Sequence, residues 1–293
     1  MLQQTFNTMI YAAIYALFAM GYTLVFGVLD ILNLAHGAIF MIGSFAAVQT
    51  VLGWHWSLWL APPFGMIVGG LVGVLLDLVA VAPLQARQAG FLTPLISTIG
   101  AGIVFENIAL AGFGPDPTGF PLGTFPEAQI NIGDATVRPV QIFIVATAVL
   151  VMAALTLGLR YTRLGKAIRA VAANRLAAQL MGVDVRMIVA ITFFMASALG
   201  ALSGVLYSLN LGQVVQWDMG GDVQLKGLAV IVVGGMDSIP GVLLGALLLA
   251  ASETAGVVWF GSPYRDAIAF GLLFLVLIVR PAGLLGRRGL RTV

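Results

Sequence analysis

From Gln141 to Leu159 the chain carries no charged residue, and from Ile67 to Val81 it carries one, Asp77. A run of about 20 apolar residues is what the roughly 30 Å hydrocarbon core of a bilayer demands of a helix. Inside that core each backbone N–H and C=O must be satisfied by the segment itself, which leaves few folds open. Only 9% of the residues are charged and 60% are hydrophobic, whereas a water-soluble domain carries about 25% charged residues. With a mean hydropathy of +1.04, a soluble fold is excluded. The expectation is all-α: a polytopic integral membrane helical bundle.

Hydropathy predicts eight spans, near Asn7–Val28, Leu34–Leu52, Leu58–Ala82, Phe91–Gly112, Val140–Leu159, Met187–Asn210, Gly241–Phe260 and Ala267–Val279. A ninth apolar piece, Leu228–Met236, is too short to cross alone and reads as a re-entrant half-helix. No basic stretch precedes the first apolar run, so that run is expected to stay as a helix. The basic residues set the orientation. Arg87, the group Arg160, Arg163, Lys166, Arg169, Arg175 and Arg186, and the terminal Arg280, Arg287, Arg288 and Arg291 make eleven of the 14 basic residues. All eleven fall on one side if the spans alternate. The loop Pro115–Pro139 opposes them with Asp116, Glu127 and Asp134 against Arg138 alone. Basic loops stay in the cytoplasm, which puts the N-terminus outside, provided that Leu228–Met236 nearly crosses.

There is no cysteine, and the two histidines, His36 and His55, cannot by themselves hold a structural zinc. A membrane enzyme would need a convergent nucleophile, base or metal set, and none is visible. Asp77, Glu106, Asn107 and Glu253 interrupt the apolar spans. Intramembrane carboxylates usually face the protein interior. Hydrogen bonding between helices accounts for them, as does an ion relay, with Lys226 as a nearby cation. Glycine is abundant, 36 of 293 residues, and Gly69-Gly70-x-x-Gly73 suits close helix packing.

Three segments carry more information. Gly21 to Gly37 reads GYTLVFGVLDILNLAHG and places Asp30, Asn33, His36 and Gly37 between two spans. It fits either an interfacial loop or an unwound stretch lining a passage. Gly227 to Ala246 breaks at Gly234, Gly235 and Asp237, and a new helix is expected near Pro240-Gly241, capped by Ser238. This break and the first loosely parallel one another as interrupted helices. In the basic segment, Leu164, Ile168, Val171 and Ala172 form an apolar helical stripe with Lys166 and Arg169 off it. Such a helix lies on anionic lipid or docks into a groove on a soluble partner. The small residues and the absence of Trp or Phe anchors suit the partner better.

Together these segments resemble the LivH-type permease subunits of branched-chain amino acid ABC importers, over nearly the whole chain from about Gln4. The resemblance implies a single transmembrane permease domain, residues 1–293, with a cytoplasmic coupling loop at about 160–186 and a coupling helix within it. Ala177, Ala178 and Gly182 are similar to the coupling-loop core of ABC permeases, although Leu176 stands where an acidic residue is usual. Gly165 and Arg169 join them as residues expected to couple to the ATPase. The resemblance further implies a transport pathway through Asp30, Asn33, His36, Gly37, Gly234, Gly235, Asp237 and Gly241. Implied partners are a second homologous permease subunit, two cytoplasmic ATPase subunits, a periplasmic substrate-binding protein and membrane lipid, with no nucleic acid. Gly158 to Gly165-Lys166-Ala167 departs from a phosphate loop in spacing and sequence. No cofactor is therefore expected on this chain, and ATP and Mg belong to the ATPase subunits. Relatives of this kind also carry urea and amides, and an ion-coupled secondary carrier is the competing class.

Overall fold

The computed structural model describes residues 2–87, 90, 92–121, 129–132, 135–210, 214–236 and 238–286. Asp237, Glu127, Asp134, Arg287, Arg288 and Arg291, which figured in the sequence reading, lie outside the described residues. Twelve α-helices run through the rest: α1 Leu2–Leu29, α2 His36–Leu52, α3 Ala61–Leu76, α4 Ala82–Ala86, α5 Leu92–Phe113, α6 Pro139–Tyr161, α7 Arg163–Ala173, α8 Arg175–Leu180, α9 Val185–Asn210, α10 Gly220–Gly234, α11 Ile239–Phe260 and α12 Arg265–Val279. A two-stranded antiparallel hairpin, β1 Ile130–Ile132 with β2 Ala135–Val137, is the sheet among the described residues.

All eight predicted spans are helices, but among the described residues seven are long and apolar enough to cross a membrane, and the eighth, α2, is shorter. The third is a composite, Leu58–Ala86, in which α3 passes through a π turn at Asp77–Val81 into α4. Pro83 has no N–H to donate, and just before it the turn widens so that Ala82 N–H reaches Asp77 O. Ser97 Oγ donates to Ala80 O at 2.9 Å in the same turn. The chain is a multi-pass membrane protein.

Burial sorts the helices into two layers. In their most apolar stretches α1 and α9 are 83% and 78% buried, whereas α5 and α6 are each 17% buried and the α12 region 11%. Helices hydrophobic all round belong at a centre, so α1 and α9 form the core and α5, α6 and α12 present apolar sides outward. The glycine cluster places α3 on that core. A Cβ at Gly69 would overlap Ala201, and one at Gly73 would overlap Ser197, both on α9. Small residues here let two backbones approach where lipid supplies no hydrophobic drive between helices.

The two ends of α1 lie on different faces. Near its start, Gln3 Oε1 accepts from Thr136 N–H of β2 at 3.0 Å. At its end, Val28 O accepts from Arg175 of α8 at 3.2 Å. The basic segment and the hairpin loop therefore sit on opposite sides of the bundle, as the charge asymmetry predicts. One expectation needs correction. Leu228 to Gly234 is the second half of α10, with Gly235 and Met236 just beyond its end, and the first half, Gly220 to Gly227, was hidden by Asp222, Gln224 and Lys226. The 15 residues of α10 span about 22 Å, more than a short re-entrant piece and less than a full crossing.

Candidate functional site

The interval after α1 folds back along it. Asp30 adopts φ 55°, a left-handed conformation that Asp tolerates better than most residues, and its side chain is exposed. The chain then returns until His36 Nε2 meets Phe18 O at 3.2 Å. Phe18 lies ten residues before Val28, about 15 Å along α1, so α2 starts in the middle of the bundle. Non-helical backbone at that depth must be covered by protein or open to a water-lined cavity. Here protein covers it: Asn33 and His36 are each 1% exposed. Asn33 Oδ1 accepts from Ala35 N–H at 3.1 Å, and Thr98 Oγ1 of α5 accepts from Leu34 N–H at 3.1 Å. His36 sits between Gly21 and Gly200, and a Cβ at either would collide with its ring. Asn33 Nδ2 and His36 Nδ1 have no hydrogen-bond partner among the described residues.

The first turn of α10 meets the first turn of α2 at this depth. Gln224 Oε1 accepts from Gly37 N–H at 2.9 Å. A Cβ on Gly37 would stand 2.5 Å from Gly220 O, and a Cβ on Gly220 would overlap the Gly37 carbonyl. Two helix N-termini thus begin side by side inside the bundle. From this crossing α2 leads to the face bearing Trp54, Trp56 and Trp59, and α10 leads to the basic face.

The second predicted patch lies at the far end of α10. Gly234 and Gly241 are packed backbone to backbone, and Ser238 Oγ accepts from Gly241 N–H at 3.1 Å, the cap expected from the sequence. Gly235 takes φ 105° and packs against Gly283 and Gly286 of the tail that follows α12. Leu284 N–H donates to Val233 O at 2.8 Å and Leu285 N–H to Gly234 O at 3.0 Å, satisfying the last carbonyls of α10. From Gly220 to Gly234 is about 21 Å. Of the described residues in the predicted pathway set, Asn33, His36 and Gly37 therefore form one patch and Gly234, Gly235 and Gly241 another, joined by α10, with Asp30 apart at the end of α1.

Sequence reading missed the charged cluster between them. Glu253 of α11 is fully buried. Its Oε2 accepts from Tyr15 O–H and from Arg265 Nε–H, each at 2.9 Å. Lys226 Nζ lies 3.3 Å from Glu253 Oε1, a charge contact without hydrogen-bond alignment, and 2.8 Å from Asp266 Oδ1. Lys226 had been singled out as a possible partner for a carboxylate, but Arg265, Asp266 and Tyr15 carried no comparable signal. Asp77 is buried with Oδ1 unpaired, and Glu106 is half-buried on α5. They do not join the cluster.

On the basic face the two short helices are capped by their own side chains. Thr162 Oγ1 accepts from Gly165 N–H at 3.0 Å, and Asn174 Oδ1 accepts from Ala177 N–H at 2.9 Å. Helix α8 closes with Val183 N–H on Ala178 O and Gly182 N–H on Gln179 O, each at 3.0 Å, with Gly182 at φ 84°. This is the paired closure that glycine makes possible. The five predicted coupling residues divide here. Gly165 is packed on the Gly158 and Leu159 carbonyls and Ala178 is buried, so these two face their own chain, whereas Arg169 is exposed and donates to Leu159 O. Ala177 and Gly182 are exposed. Beside them stand Leu176, Leu180 and Met181, exposed by 68%, 80% and 84%.

Known proteins match this sequence over nearly its whole length. The family described as the branched-chain amino acid transport system permease component matches residues 4–277. The chain belongs to that family. It is 36% identical to the high-affinity branched-chain amino acid transport system permease protein BraD of Pseudomonas aeruginosa, covering 98% of this chain and 96% of that protein. It is 34% identical to the corresponding permease protein LivH of Escherichia coli and 33% identical to that of Salmonella typhimurium, with the same coverage. No solved structure matches. The permease thus joins a mid-bundle crossing of two helix starts to a basic face with an exposed apolar tip.

Proposed function

We propose that this permease is the substrate-conducting subunit of an ATP-binding-cassette importer that carries leucine, isoleucine and valine across the inner membrane. A periplasmic binding protein delivers the amino acid, a second homologous permease completes the passage, and two cytoplasmic ATPase subunits hold ATP and Mg. The observation that carries this reading is the near full-length similarity to permeases named for that transport. The basic face is cytoplasmic, following the asymmetry of its arginines. Its coupling contact is the tip of α8. Ala177, Leu180 and Met181 enter a groove on the ATPase, as an apolar helix face does, and the Gly182 closure lets the chain turn away at once.

The mid-bundle crossing supports the passage itself. Interrupted helices place polar backbone ends within a membrane, where they serve substrates with charged groups. Asn33, His36 and Gly37 with Gly220 and Gln224 shape its middle, and Gly234, Gly235 and Gly241 shape its cytoplasmic exit. Asp30 lies at the fold-back that leads into it, and Asp237 belongs to the exit by sequence. The test is reconstitution of the permease with its paralogue, ATPases and binding protein in proteoliposomes. ATP-dependent uptake of radiolabelled leucine, competed by isoleucine and valine and not by urea, is expected. Uptake that proceeds without ATP, driven by an ion gradient, overturns it.

A further inference from the structure

The basic segment meets the bundle in two ways. Helix α7 lies against α1 and α9, with Ile168 and Val171 buried. The extended backbone of Asn174 then separates it from α8. Chain continuity carries α8 on to α9, which starts at Val185. Towards the other spans, among the described residues, α8 hydrogen-bonds through one side chain. Arg175 Nη2–H donates to Val28 O of α1 at 3.2 Å, and its Nη1–H donates to Gln85 Oε1 of α4 at 3.3 Å.

Both acceptors stand at informative places. Val28 is in the last turn of α1, where carbonyls have no partner within the helix, and a cation there complements the negative end of the helix dipole. Two residues on, Asp30 turns the chain back at φ 55°. By Asn33 the chain is buried, and Asn33 Oδ1 holds the Ala35 N–H at the head of α2. Gln85 lies past the π turn, at the end of the third span. Its Nε2 has no partner among the described residues, so the bond from Arg175 is what orients its amide. A guanidinium suits this double duty, because its planar, diverging N–H groups hold acceptors on two elements at once, whereas an ammonium is a point charge.

We infer that Arg175 is the positioning residue that ties the exposed tip of α8 to the crossing: its fork joins α8 to the end of α1 and to the end of the third span. Arg175 is half-buried on its own chain's carbonyl and amide, so its charge is turned inward and not offered to a partner. When α8 shifts, the ends of α1 and α4 shift with it. The short fold-back from Asp30 to Asn33 passes that displacement to the start of α2. Arg169 differs, since it donates to the Leu159 and Arg160 carbonyls of the preceding helix and reaches no distant span. The inference rests on the transporter reading for what moves α8, and on the hydrogen-bond geometry for the route.

The complete transporter is reconstituted in proteoliposomes, and leucine imported per ATP hydrolysed is measured together with amide hydrogen exchange over Leu29 to Leu32. Arg175→Ala should keep its ATPases and lower the ratio about tenfold, near the lower end of what a hydrogen bond to a charged group is worth. Exchange at the end of α1 should quicken, because local opening there no longer breaks that bond. Arg175→Lys should not restore the ratio, whereas a role of charge alone, against lipid or the ATPase, would be met by lysine. Gln85→Leu removes one arm and should lower the ratio about threefold, with no further loss once residue 175 is alanine. An unchanged ratio or unchanged exchange in Arg175→Ala overturns the linkage. So does full recovery in Arg175→Lys, or release of the ATPases by Arg175→Ala. If Arg175→Ala does not assemble, Gln85→Leu decides, and an unchanged ratio there overturns the linkage. Wild-type transporter that shows no ATP-dependent leucine uptake defeats the transport reading instead, while the exchange comparison still decides the linkage.

Discussion

The coupling segment and the mid-bundle crossing are both helix starts, yet they are held by opposite means. In the first, each cap comes from a residue three positions away: Thr162 for Gly165, Asn174 for Ala177. In the second, Gly37 N–H is satisfied by Gln224 and Leu34 N–H by Thr98, from helices far along the chain. A surface helix start forms on local terms and can offer its apolar residues to a partner. A helix start at membrane depth exists only when the surrounding helices complete it. The first region should therefore tolerate substitution with a change in coupling, and the second should fail as a fold.

The largest effect is expected at the charged cluster beneath the crossing. Glu253→Gln removes the anion shared by Lys226 and Arg265, and breaking a buried pair costs about 3–5 kcal/mol. Loss of monodisperse protein after detergent extraction, measured by size-exclusion fluorescence, is the expected result; normal yield would mean that lipid or water already screens the cluster. Next comes Gly37→Ala, whose added carbon meets Gly220 O at 2.5 Å. Overpacking of this kind costs about 1–3 kcal/mol, so a lower detergent melting temperature with lost uptake is expected. An unchanged melting temperature would mean that α2 and α10 separate easily.

On the coupling side the effects shrink and change character. Gly182→Val puts a branched residue at φ 84°, a strain of about 1–2 kcal/mol, but nothing lies near the new side chain to clash with it. The subunit should insert normally and lose its ATPases in detergent; retention at wild-type stoichiometry with normal uptake would remove Gly182 from the contact. The smallest effect is expected for Asn174→Ala, the loss of one cap worth about 1 kcal/mol. Here uptake should fall modestly while the crossing, probed by the Gly37→Ala melting shift, stays as it was.

Apolar run length alone determined that the chain is a helical membrane protein, because a bilayer interior admits few other backbones. The same sequence marked the α8 tip, the Ser238 cap and the glycine at which α8 ends, since each depends on neighbours within a few residues. It did not show the first half of α10, because Asp222, Gln224 and Lys226 lower the local hydropathy that span-finding relies on. Gln224 and Lys226 are tolerated in the bundle through partners supplied by α2, α11 and α12, while Asp222 is exposed. Nor did it separate the two pathway patches, or turn Gly165 and Ala178 inward, since burial depends on which helices lie alongside. Tertiary structure decided these points, for a physical reason: a polar group inside a membrane is settled by whatever reaches it in space, and sequence distance says nothing about that.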